Sequence, residues 1–231
     1  MKKKKGFTLA EVLVSLGIIG VIAAITLPSL TANTQNAQKG PKLTKTVAML
    51  EQGFASLLNA NGVEKITDLG YGYGASSDAS SGVDRLMKEL SDYLKFSNTI
   101  STTSTTGTKT PCITEGGMWS KVYRMADGVD FFTFALTKPT NTSLKPHKAF
   151  VGYIYIDING QKTKPNTYAE DIFPFALYED GSLRPVGGTN WREDKSSECE
   201  WTKYCKEKTT PSCPAACSGH IFENNFKVLY K

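Results

Sequence analysis

A 21-residue apolar run from Phe7 to Leu27 constrains this chain more than any other stretch. Four lysines, Lys2 to Lys5, and Gly6 precede it, and one charge, Glu11, interrupts it. At about 1.5 Å per residue a helix of that length covers about 31 Å, enough to cross a hydrocarbon core of roughly 30 Å. A basic flank stays cytoplasmic, so the rest of the chain is expected on the far side of the membrane. The lysines also account for the charge balance. Of 27 basic side chains against 22 acidic ones, removing Lys2 to Lys5 leaves 23, a net charge of +1. No global charge therefore argues for nucleic-acid binding.

Glu11 is the residue that needs a reason. A carboxylate in a membrane span costs on the order of 2.5–3.5 kcal/mol at the centre and less near an end, so it marks function by default. A secretory signal peptide has no use for it and needs small residues at its cleavage site. The nearest candidates, Ala24-x-Thr26 and Ser29-x-Thr31, fit that pattern poorly.

The stretch Lys5-Gly6-Phe7-Thr8-Leu9-Ala10-Glu11-Val12-Leu13-Val14 resembles the processing site of type IV prepilins and pseudopilins. That resemblance implies cleavage by a membrane-embedded prepilin peptidase between Gly6 and Phe7, followed by N-methylation of Phe7. Glu11 then becomes the fifth residue of the mature chain. Glycine before the scissile bond offers no side chain to obstruct a protease, and the cut exposes an amine while leaving the apolar helix attached. In a filament, that amine can meet the Glu11 carboxylate of a neighbouring subunit. Two such charges about 4 Å apart attract by about 4 kcal/mol at an effective dielectric of roughly 20. Each is costly to bury alone, which makes the pair a register key for assembly.

The resemblance implies an α+β fold: a long N-terminal helix, membrane-embedded in its first half, packed on an antiparallel sheet. It divides the chain into a leader (1–6), an assembly helix (7–28), the second half of the helix (29–62) and a globular domain with a cysteine-rich tail (63–231). Pro28 should kink or melt the helix, and Gly40-Pro41 should break it. Leu43, Val47, Leu50, Phe54, Leu57 and Leu58 carry helical periodicity, with Asn61-Gly62 as the stop. A second amphipathic helix carries Val83, Leu86, Met87, Leu90, Tyr93 and Leu94 on one face, with Ser80 or Ser81 as its cap. Residues 97–110, mostly serine and threonine, read as a surface loop or linker.

Strands follow. Trp119 to Met125 and Val129 to Leu136 form a hairpin about Asp127-Gly128. Phe150 to Ile158 is a further strand. Ile172 to Tyr178 and Leu183 to Val186 form a second hairpin about Asp180-Gly181, and Phe226 to Tyr230 is a short terminal strand.

Asp157-Ile158-Asn159-Gly160, Pro165-Asn166, Asp171-Ile172-Phe173 and Asp180-Gly181-Ser182-Leu183-Arg184-Pro185 resemble a recurring segment of pilin-like proteins. Some major pseudopilins hold calcium in a loop of this region. Asp157, Asn159, Asn166 and Asp171 are then the candidate oxygen ligands, although their spacing is not that of an EF-hand. The alternative is a turn whose side chains bond nearby backbone. No cofactor is required on either reading.

Cys112, Cys199, Cys205, Cys213 and Cys217 in an exported domain point to disulfides. No C-x-x-C pair favours zinc. The pilin resemblance suggests Cys199 with Cys205, and Cys112 with Cys213 or Cys217, leaving one thiol free or bonded to another chain. Catalysis finds no nucleophile motif around the two histidines, His147 and His220, which read as surface residues. No phosphate loop follows a strand, so the chain does not read as an enzyme.

The expected function is mechanical. The chain is a structural subunit of a type IV pilus or type II secretion-like pseudopilus, and its partners are the prepilin peptidase, other pilin subunits and the membrane. It is held as a single-pass inner-membrane protein with a cytoplasmic N-terminus, then drawn into a filament or to the cell surface. The alternative is a membrane-tethered adhesin that binds through residues 190–220, where Trp191 and Trp201 lie near Arg192 and Lys203.

Overall fold

Helix α1 runs from Leu9 to Asn61, 53 residues in one α-helix, in a computed structural model that describes residues 8–71, 77–100, 122–133, 149–160, 163, 168–187 and 214–224. It passes through Pro28 and through Gly40-Pro41, where the sequence predicts a kink and a break. A proline inside a helix costs about 3 kcal/mol through a lost backbone bond and a clash. Each buried leucine or phenylalanine returns about 1.5–3 kcal/mol, and Leu43, Leu50, Phe54 and Leu57 are all buried just downstream. Asn61-Gly62 ends the helix as expected: Gly62 adopts a left-handed φ of 65°, and Val63 N–H donates to the Leu58 carbonyl at 3.1 Å.

The chain divides into two compact units after Lys39. The first, Met1–Lys39, carries the apolar part of α1. The second, Gly40–Lys231, holds the rest of α1 and every other described element.

In the second unit a 3₁₀ turn, Ile66–Leu69, leads to helix α2, Ser77–Leu90. Val83, Leu86, Met87 and Leu90 bury one face of α2, and Leu94 follows them into the core. Two expectations fail here. Tyr93 lies past the helix end and is 42% exposed, because the turn after Leu90 rotates it off the stripe. Ser80 and Ser81 fall inside the helix rather than capping it, since α2 already begins at Ser77.

Six strands form one antiparallel sheet in sequential order: β1 Phe96–Ile100, β2 Val122–Met125, β3 Asp130–Thr133, β4 Phe150–Asp157, β5 Ile172–Tyr178 and β6 Leu183–Pro185. This is the α+β plan expected from the sequence. Residues 97–100, read as the start of a loop, instead belong to edge strand β1. Thr99 pairs with Tyr123 and Ile100 with Val122, β-branched side chains that suit a strand despite the serine- and threonine-rich composition. Both predicted hairpin turns form, with Gly128 at φ 84° and Gly181 at φ 81°.

The turns also dock the sheet on α1. Lys45 pairs with Asp127 at 3.8 Å, and Lys42 donates to the Asp127 carbonyl at 3.2 Å. At the second hairpin, Glu51 accepts the Leu183 N–H at 2.9 Å. A Cβ on Gly181 would come within 2.7 Å of the Phe54 Cβ, so this turn has to be glycine for closeness as well as for φ.

Helix α3, Pro214–Glu223, was not foreseen. It packs against β5 and β6, with Phe222 edge-on to Phe175 at 5.4 Å and Gly219 N–H bonded to the Val186 carbonyl at 2.9 Å. Phe226 to Tyr230, the predicted terminal strand, lies outside the described residues.

Candidate functional site

The assembly segment is the beginning of α1. From Leu9 to Leu27 the helix has a mean hydropathy of 2.3, and it is not buried among the described residues. Leu9 is 78% exposed and Ile25 72%, with apolar side chains on all sides. A helix apolar all round is one whose surroundings are lipid or other apolar helices. Its hydroxyls are satisfied internally, as a low-dielectric setting demands: Ser15 donates to the Glu11 carbonyl at 2.7 Å and Thr26 to the Ile22 carbonyl at 2.9 Å. A Cβ on Gly17 or Gly20 would meet nothing within 4 Å, which leaves two bare backbone patches on the helix surface.

Glu11 is tied to the start of this helix by a reciprocal arrangement that the sequence reading missed. The Thr8 N–H and the Thr8 hydroxyl both donate to one Glu11 carboxylate oxygen, each at 2.8 Å. Glu11 N–H returns a bond to the Thr8 Oγ1 at 3.3 Å. This is a capping box, with Thr8 as the cap and Glu11 three residues on. The Thr-x-x-Glu spacing is legible in the sequence, as a threonine cap followed three residues later by a glutamate. Gly6 and Phe7, the predicted cleavage and methylation positions, lie outside the described residues.

The second predicted site sits at one end of the sheet. Asp157 and Asp171 are fully buried, and Asn159 lies between them. Asp157 Oδ1 accepts the N–H of Asn159 at 3.2 Å and of Gly160 at 2.9 Å, closing an Asx-type turn. The Asn159 amide donates to Asp171 Oδ2 at 3.2 Å. Beside them, Asp130 is the cross-strand partner of Asp157 and is itself clasped by Arg124, Nε to Oδ1 at 2.6 Å and Nη2 to Oδ2 at 2.5 Å. Burial and the neighbouring Asp171 charge push the Asp157 carboxyl up to about 7.

Calcium prefers six to eight oxygens; here Asp157 Oδ2 is buried with no hydrogen-bond partner among the described residues, while Asp157 Oδ1 and Asp171 Oδ2 are engaged within the turn. One Asp157 oxygen is spent on two backbone donors, and Asn159 turns an N–H rather than its oxygen toward Asp171. Among the described residues no three Asp, Glu, His or Cys side chains converge as metal ligands. Asn166 lies outside the described residues. The turn expected as the alternative does form, with Asp157 Oδ1 accepting the Asn159 and Gly160 N–H groups.

Among the cysteines, Cys217 is buried on α3 and disulfide-bonded. Cys112, Cys199, Cys205 and Cys213 lie outside the described residues, as do His147, Trp191 and Trp201. His220, expected at the surface, is buried on α3 with its Nδ1 2.8 Å from the Asn224 amide nitrogen. The docking of α3 on the sheet draws it inside.

Comparison with protein families matches residues 1–27 to the prokaryotic N-terminal methylation motif. No curated protein and no solved structure matches the chain. The motif covers the capping box and the apolar helix and supports export through the prepilin pathway. From residue 1 to residue 27, the chain carries the prepilin-type signal of type IV pilins and pseudopilins.

Proposed function

We propose that this protein is a filament subunit of a type IV pilus or a type II secretion-like pseudopilus. It is cut between Gly6 and Phe7, methylated on Phe7 and polymerised through residues 7–28. The observation that carries this reading is the exposed apolar helix with a single carboxylate at its start, inside the matched motif. In the membrane the helix faces lipid; in a filament it faces its copies or related subunits. Residues 29–62 then link the assembly segment to the domain that the filament displays.

The Thr8–Glu11 box adds a step to this account. Before assembly, Glu11 is satisfied by its own helix end, so the lone subunit does not carry a bare carboxylate in the membrane. In the filament the carboxylate faces a neighbouring subunit's Phe7 amine, where a charge-assisted contact is stronger than a neutral one.

Glu11→Ala should therefore leave leader removal intact and reduce the subunit recovered in sheared filaments or in cross-linked multimers by about tenfold or more, the equivalent of ~1.4 kcal/mol. Wild-type recovery of that variant would remove Glu11 from the assembly mechanism.

A further inference from the structure

We propose that the Arg124 guanidinium is the resident cation of the Asp157–Gly160 turn, which makes this brace of the sheet independent of any metal. The register places Arg124, Asp130 and Asp157 in one row across β2, β3 and β4, each directly opposite the next. Asp130 and Asp157 are both fully buried. Like charges directly opposite on adjacent strands are destabilising, and burial sharpens the repulsion. Arg124 removes one of the two charges by a two-point clasp on Asp130.

The turn is also built onto that clasp. A Cβ on Gly160 would lie 3.3 Å from the Arg124 Nη2, 3.3 Å from the Asp130 Oδ2 and 2.9 Å from the Gly128 carbonyl oxygen. Gly160, at φ 80°, thus lets the backbone of the turn rest directly on the ion pair and on the β2–β3 turn. The other carboxylates of the turn meet local donors, except at Asp157 Oδ2, which is buried with no hydrogen-bond partner among the described residues. Asp171 takes the Asn159 amide N–H, Asp157 Oδ1 takes two backbone N–H groups, and burial favours the protonated form of Asp157. The positive charge that a loop of this kind would take from solution is supplied by strand β2.

The test uses the full chain in detergent, with thermal unfolding followed by circular dichroism after EDTA treatment and again with excess calcium chloride. The wild type should melt at the same temperature in both. Arg124→Gln should lower Tm on the order of 10 °C, because it leaves Asp130 buried without its partner. The double variant Arg124→Gln/Asp130→Asn removes the stranded charge as well and should recover most of that loss. It also keeps the test readable if Arg124→Gln alone does not fold. A calcium-raised Tm in the wild type would overturn the proposal, since the turn would then take a metal. A double variant that melts as low as, or lower than, the single one would overturn it too, since quenching Asp130 would not be what Arg124 does.

Discussion

At the scale of single residues, two carboxylates define the molecule, and both are held by groups close to them. Glu11 is caught by Thr8 within one helical turn, and Asp157 by the backbone N–H groups of Asn159 and Gly160. Asp157 also makes the domain's stability depend on pH. Its carboxyl is raised from 3.8 in the unfolded chain to about 7 by burial and by Asp171, with Asp130 adding to the effect and Arg124 committed to Asp130. Between those values the folded state keeps a proton that the unfolded chain has lost. The contribution of Asp157 therefore falls as pH rises from about 4 to about 7 and stays low above that. Asp157→Asn keeps the oxygen that accepts the two N–H groups but cannot ionise. It should flatten the profile and raise Tm at pH 8 by about 2–4 °C, the effect of roughly 1 kcal/mol in a domain of this size. Equal pH slopes for wild type and variant in thermal melts would contradict that role.

Most of the framework of elements was readable in advance, and the reasons separate the cases. Periodicity found the buried stripe from Leu43 to Leu58 and the α2 face from Val83 to Leu90, because core packing imposes spacings of three and four. Asp-Gly pairs found both hairpins, because only a residue at ease with positive φ closes them so tightly. Signals that depend on distant partners were not readable. Strand β1 exists through its pairing with β2, 22 or more residues away, and its local composition says loop. Helix α3 hid among cysteines, although Pro214 at its first position was a usable mark. The ion pair of Arg124 with Asp130 was missed for the same reason as β1, since register across strands created it. Contacts between elements carry their own prediction. Gly53 of α1 lies against α2 so closely that a Cβ would sit 2.9 Å from the Leu94 Cγ and 3.1 Å from the Leu90 Cδ1. Gly53→Val should cost roughly 1–3 kcal/mol through overpacking, read as a lower denaturation midpoint with an unchanged m-value. A midpoint equal to that of the wild type would show that the two helices have room to move apart.

For the whole molecule, the division of labour follows the division of surface. The apolar part of α1 from Leu9 to Leu27 is not buried among the described residues, and the unit from Gly40 onward has a hydrophobic core of its own. In the proposed function the first is covered by lipid or by other subunits, and the second is the domain that the filament displays. The proposed assembly rests on the N-terminus being cut at one bond. The most direct measurement is the mass of the N-terminal peptide of the protein recovered from membranes. Processing by the prepilin pathway should give a chain that begins at N-methylated Phe7, with Lys2 to Lys5 gone. A chain that retains Met1 would contradict it, because the proposed Phe7 amine would never form, and one that begins near Asn33 would contradict it because Glu11 would be lost as well.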